Sequence, residues 1–177
     1  MSARVRPAVR RRRDRGQALT EFALVAPIFF LLVFGIVQLG LLFGGQNGLV
    51  NAAREVARYA ATYKTAITDP AGACSAVEAQ IAPALARALP GYDPAQVDPR
   101  VEYDWLANPG GTTYSVTVAI HIGYSHPLFV PLVGNLLDGF DGSMDGRLAL
   151  QADEQMRVES APLSAPGNPA APLASCP

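Results

Sequence analysis

The apolar positions of this chain fall into three successive patterns: continuous, then helical, then alternating. From Phe22 to Ala53 no charged residue occurs, and Ala23 to Phe43 is almost entirely Leu, Val, Ile, Phe, Ala and Gly. As a helix, this stretch of about 21 residues extends roughly 31 Å, which matches a bilayer hydrocarbon core of about 30 Å. The pattern then turns amphipathic. Val50, Ala53, Val56, Ala57 and Ala60 recur at helical spacing, with Asn51, Arg54, Glu55 and Arg58 between them. One long helix over residues 17–64 is predicted, crossing the membrane at about residues 22–45. Pro27 lies early in it and removes one backbone hydrogen bond, which predicts a kink rather than a break.

Asp69-Pro70-Ala71-Gly72 reads as a turn. A second helix is expected from Cys74 to Leu89, where Val77, Ile81, Leu85 and Leu89 repeat every four residues and Pro90-Gly91 ends the run. Thereafter the period becomes two. Val101, Tyr103 and Trp105 alternate with polar neighbours, and so do Tyr114, Val116, Val118, Ile120 and Ile122. Asn108-Pro109-Gly110-Gly111 lies between the two runs, so an antiparallel hairpin is predicted. A third strand follows from Leu148 to Val158, its apolar phase interrupted at Glu154. Three strands can cover an amphipathic helix where a lone hairpin is marginal. The segment from Pro127 to Leu137 is apolar for a connection and reads as a flap on the core or a surface for a partner. The fold class is therefore α+β, with a leader at 1–16, the long helix at 17–64, an α+β domain at 65–159 and a Pro/Ala-rich tail, read as poorly ordered, at 160–177.

Charge sharpens this picture. The chain of 177 residues carries a net charge of −1, but seven of its 14 basic residues are arginines at positions 4, 6, 10, 11, 12, 13 and 15, opposed there only by Asp14. Everything after Arg15 is net acidic. Such a run can mark nucleic-acid binding. Beside an apolar span it reads instead as the signal that holds the N-terminus in the cytoplasm and places the rest outside, with the lipid bilayer as partner and no nucleic acid. A cleavable secretory signal has a shorter apolar core of about 7–15 residues and a small-residue cleavage site. Here Gly44, Gly45, Gln46 and Asn47 lead directly into the amphipathic pattern. A twin-arginine export signal fits Asp14, Arg15 and Gly16 poorly.

The border of leader and helix reads Arg15-Gly16-Gln17-Ala18-Leu19-Thr20-Glu21-Phe22. A basic segment, a glycine, four uncharged residues, a glutamate and an aromatic residue resemble the processing site of type IV pilin-like precursors. The continuation Ala23-Leu24-Val25-Ala26-Pro27, then Gly35-Ile36-Val37-Gln38-Leu39-Gly40, then Asn51 to Ala60, resembles the N-terminal block of TadE-like proteins, minor pseudopilins of the tight-adherence (Flp pilus) machinery. The resemblance covers about the first third of the chain. It implies a pilin-like fold in a bacterial inner membrane and cleavage between Gly16 and Gln17 by a prepilin peptidase. It also implies partnership with other pilin-like subunits and pilus assembly proteins, and incorporation into a pilus. The chain is short for the larger TadG-like relatives. Glycine offers a protease little steric resistance. A carboxylate at the mouth of a membrane span is costly unless paired, and the resemblance implies that Glu21 meets the new α-amino group of a neighbouring subunit. Read without the resemblance, Glu21 is a helix-start residue favoured by the macrodipole.

Other features weigh less. Gly40 and Gly44 form a GxxxG spacing, with Gly35 nearby, where small residues let membrane helices approach. Cys74 and Cys176, the only cysteines, either bridge the tail to the second helix or stay free or pair between chains; the internal bridge is favoured. Asp138, Asp141 and Asp145, each followed by glycine, lack the spacing of a calcium loop and read as tight turns. His121 and His126 lack zinc-ligand spacing. No catalytic constellation, cofactor motif or metal site reads from the sequence, and the expectation is a substrate of an enzyme rather than an enzyme. The alternative is a membrane-tethered binding domain that never joins a filament; a third is a secreted protein with a long signal peptide.

Overall fold

The computed structural model describes residues 10–63, 68–142, 145–159, 163–164, 167–168 and 173–176. The basic positions Arg4 and Arg6 lie outside them. Helix α1 runs without interruption from Arg10 to Thr62, 53 residues or about 80 Å. It passes through Pro27 and begins before Gly16, so the last residues of the basic leader are already helical.

A buried stripe develops along α1 at three- and four-residue spacing. It starts at Gln38 and Leu42, passes Gly45, Leu49 and Ala52, and continues through Ala53, Val56, Ala57 and Ala60. Beyond Gly45 the stripe is largely alanine, and the close approach this permits is used by helix α2, Pro70–Ala88. Asp69 caps α2 by accepting the Gly72 N–H at 3.0 Å, and Pro70 occupies its first turn, where a missing N–H costs nothing. Pro83 is accommodated inside α2, which starts four residues earlier than its apolar repeat indicates. Its buried face comprises Ala73, Val77, Ile81, Ala84 and Leu85.

Strands β1 (Val97–Ala107) and β2 (Thr113–Pro127) form the expected hairpin, with Val101 opposite Ile120, Tyr103 opposite Val118 and Trp105 opposite Val116. Strand β3 (Arg147–Arg157) pairs antiparallel with β2. Two short strands come from the stretch expected to lack regular structure. β4 (Leu163–Ser164) pairs with the start of β2, and β5 (Ala174–Cys176) lies on the outer edge of β1. The sheet order is β3-β2-β1-β5, and the residues facing the helices form one core with α1 and α2. The β2–β3 connection, expected as an apolar flap or partner surface, contains helix α3, Pro131–Asp141.

Glu154 falls on the helix-facing side of β3, opposite Ile120. Its carboxylate is met by Arg54 of α1 at 2.7 Å, which explains how a charge fits an apolar phase. Arg87 of α2 reaches Glu55 of α1 at 2.6 Å.

Candidate processing site and stalk interface

At the start of the apolar stretch, Gly16, Gln17, Glu21 and Phe22 are exposed on consecutive turns of α1. The Gln17 side-chain amide donates to Glu21 Oε1 at 3.1 Å, and the Thr20 hydroxyl donates to the Gln17 carbonyl at 2.7 Å. Both are local helix contacts between residues three or four apart. Nothing among the described residues comes within 4 Å of a side-chain carbon placed on Gly16. The bond after Gly16 is therefore sterically open, but it is helical, whereas a protease needs it extended.

One helix near the N-terminus is long and apolar enough to cross a membrane, and its most apolar window is only 6% buried. A core helix of a soluble protein would be covered. Leu24, Ile28, Phe29, Leu32, Phe34 and Ile36 are all exposed, which supports single-pass membrane anchoring.

The glycines divide into two groups. Gly35, Gly40 and Gly44 have nothing within 4 Å among the described residues, so no contact inside the chain uses them. Gly45 and Gly48 are the close-approach positions. A side-chain carbon on Gly45 would stand 2.7 Å from the His126 ring, and one on Gly48 would run into the Ala88 carbonyl. At about 100° per residue, Gly40 lies roughly 200° around the helix from Gln38. Gly40 and Gly44 thus occupy the face turned away from the packed stripe, whereas Gly35, about 60° from Gln38, lies nearer to it.

Gln38 is fully buried. Its Oε1 accepts the backbone N–H groups of Phe129 and Val130, each at 3.0 Å. Val130 is the N-cap of α3 and makes no side-chain cap of its own, so a residue of α1 performs that duty. Gln38, Gly45, Gly48, Arg54 and Glu55 were given no role by sequence reasoning. For Gln38 the usable signal was the one amide side chain between Ala23 and Phe43.

Elsewhere, Cys74 of α2 and Cys176 of β5 are joined by a disulfide with a Cα–Cα distance of 5.5 Å. The Asp138 carboxylate accepts the Gly146 N–H at 2.9 Å and Asp145 accepts the Arg147 N–H at 2.9 Å, so both serve the turn leading into β3. His121 Nδ1 is 2.6 Å from Asp153 on the neighbouring strand, and buried His126 Nδ1 is 2.9 Å from the Pro127 carbonyl. Among the described residues no group of His, Cys, Asp and Glu is arranged to hold a metal ion.

The family model described as TadE-like protein matches residues 16–58. Over its stalk the chain is similar to TadE-like proteins. The match begins at Gly16 and ends at Arg58, short of α2 and the whole sheet. No curated protein and no solved structure matches the chain. The TadE-like segment therefore comprises the exposed apolar half of α1 and the stripe that packs the domain, including both charged partners Arg54 and Glu55. The similarity suggests a Tad pilus-associated component and is confined to this segment.

Proposed function

We propose that this chain is a minor pseudopilin of the tight-adherence pilus machinery, made as a precursor and cut by a prepilin peptidase between Gly16 and Gln17. The observation that carries the reading is the TadE-like match that opens at Gly16, just before the exposed apolar stretch of α1. Glycine is about 1 kcal/mol worse than alanine in a helix, so the bond after Gly16 is the easiest place in this part of α1 to draw into a protease cleft. Cleavage would free an α-amino group on Gln17 and leave Glu21 as the fifth residue, its carboxylate at the mouth of the span for a neighbour's amine. A carboxylate there favours any arrangement that supplies a positive partner. The open face of Gly40 and Gly44 suits packing against other pilin-like helices, and Gly35 is open as well. In this reading the leader stays in the cytoplasm and the α+β domain lies outside a bacterial inner membrane.

Co-expression with a candidate prepilin peptidase, read by intact mass and N-terminal sequencing, tests the proposal. The expected mature chain starts at Gln17, and Gly16→Leu keeps the full leader. A chain that retains residues 1–16 beside an active peptidase refutes the pseudopilin reading and leaves a membrane-tethered domain outside any filament.

A further inference from the structure

The position of α3 along the stalk has a bearing on what it touches. Measured from Phe22, Gln38 is about 24 Å up the helix and Phe43 about 31 Å, against an apolar layer of about 30 Å. The Phe129 and Val130 N–H groups bonded to Gln38 thus sit below the upper boundary of that layer. No charged residue occurs from Pro127 to Leu137. Phe129 is 56% exposed and Leu136 is 59% exposed. Phe129 precedes α3 and Leu136 lies within it, and both are open to the surroundings, while Val133 and Asp138 of α3 are buried.

We propose that α3 and the residues leading into it form an interfacial segment whose Phe129 and Leu136 contact acyl chains in the leaflet on the side of the α+β domain. Three observations favour lipid over protein as the occupant. The segment adjoins the apolar stretch of α1, to which the Phe129 and Val130 N–H groups are hydrogen-bonded at Gln38. Two large side chains fall far short of the roughly 1,000 Å² that a stable protein interface buries. The Phe129 and Val130 N–H groups are also satisfied from within the chain, as an environment without water demands of backbone donors, while the Gln38 amide nitrogen has no partner among the described residues. An interfacial helix lying about 5–10 Å into the headgroup and acyl boundary accounts for all three. The proposal rests on the anchor reading but not on cleavage or pilus assembly.

The test places a single tryptophan in the full chain, with Trp105→Phe as background, in phosphatidylcholine and phosphatidylglycerol vesicles. The lipids carry bromine near the carbonyl end, at mid-chain or at the terminus. Leu136→Trp is expected to lose about half or more of its emission, most with bromine near the carbonyl end, as shallow insertion requires. Phe129→Trp should behave alike and serves if the first variant misfolds. Leu106→Trp, at the far end of the hairpin, should keep its emission. Quenching of Phe34→Trp in the span, with none at Leu136→Trp or Phe129→Trp, overturns the proposal and leaves the anchor standing. Silence at all three overturns both. Quenching at Leu136→Trp that emerges only when protein is diluted in lipid also overturns it, because a second copy then covers the patch.

Discussion

Tyr103 lies at the centre of the sheet, fully buried, and its hydroxyl has no hydrogen-bond partner among the described residues. An unpaired buried hydroxyl costs about 1–3 kcal/mol, so Tyr103→Phe removes a penalty and should stabilise the protein by about 1 kcal/mol at pH 7. The same burial pushes the phenol up to about 12, with Tyr63 and Tyr59 adding smaller contributions in the same direction. The sign follows from proton binding. Below pH 10 both folded and unfolded chains hold this proton, and stability is indifferent to pH on its account. From pH 10 to about 12 the unfolded chain releases it while the folded chain keeps it, so stability falls as pH rises. The loss amounts to about 2–3 kcal/mol over that window. Tyr92 is also raised, by burial first and then by Tyr124 and Asp93, but it is common to both proteins and cancels in the difference. Urea unfolding of the full chain in detergent micelles, followed by the fluorescence of Trp105, reads both effects. The advantage of the variant should be near 1 kcal/mol at pH 7 and about 3 kcal/mol at pH 11.5. A variant less stable than the parent at pH 7, with a parallel decline above pH 10, would mean that the hydroxyl is satisfied and the burial argument fails.

Other expectations follow from close contacts and caps. Gly48→Ala should cost about 1–3 kcal/mol by forcing α1 from the Ala88 carbonyl, whereas Gly44→Ala, one turn earlier in open space, should be neutral or gain up to about 1 kcal/mol; paired urea curves compare them. Removing the disulfide by Cys74→Ser with Cys176→Ser opens a loop of 102 residues and should cost about 2–5 kcal/mol, visible as a lower urea midpoint. Gln38→Leu withdraws the acceptor from two N–H groups and should speed amide exchange at Phe129 and Val130 selectively, at a cost of about 1–3 kcal/mol; uniform exchange across the domain would show that Gln38 does not cap α3.

Much of this architecture is legible in the residue pattern because one physical cause dominates each element. The charge-free run is continuous and stays bare over its most apolar part, as a membrane span does, whereas the stripe from Val50 to Ala60 and the alternation around Val118 each bury one face with the period of the element they form. What escaped has competing causes. Helix α3 lies in the apolar stretch that reads as a flap or a partner surface, and it is held by a cap from a residue 92 positions away. The edge strands β4 and β5 come from a Pro- and Ala-rich stretch, where ladder pairing with β2 and β1 overrides weak local propensity. At the candidate site the sequence picks out the glycines by spacing, but only packing distinguishes Gly45 and Gly48, pressed against neighbours, from Gly40 and Gly44, which face outward. It also could not reveal that Gly16 sits inside a helix already formed.

The unbroken course of α1 has a mechanical corollary. A stalk that carries lipid-facing residues at one end and core residues at the other, with no intervening loop, acts as a mast rather than a tether. Any tilt or turn imposed on the embedded end is delivered undiminished to the sheet above, so the domain's outer surface is aimed by whatever grips the mast below.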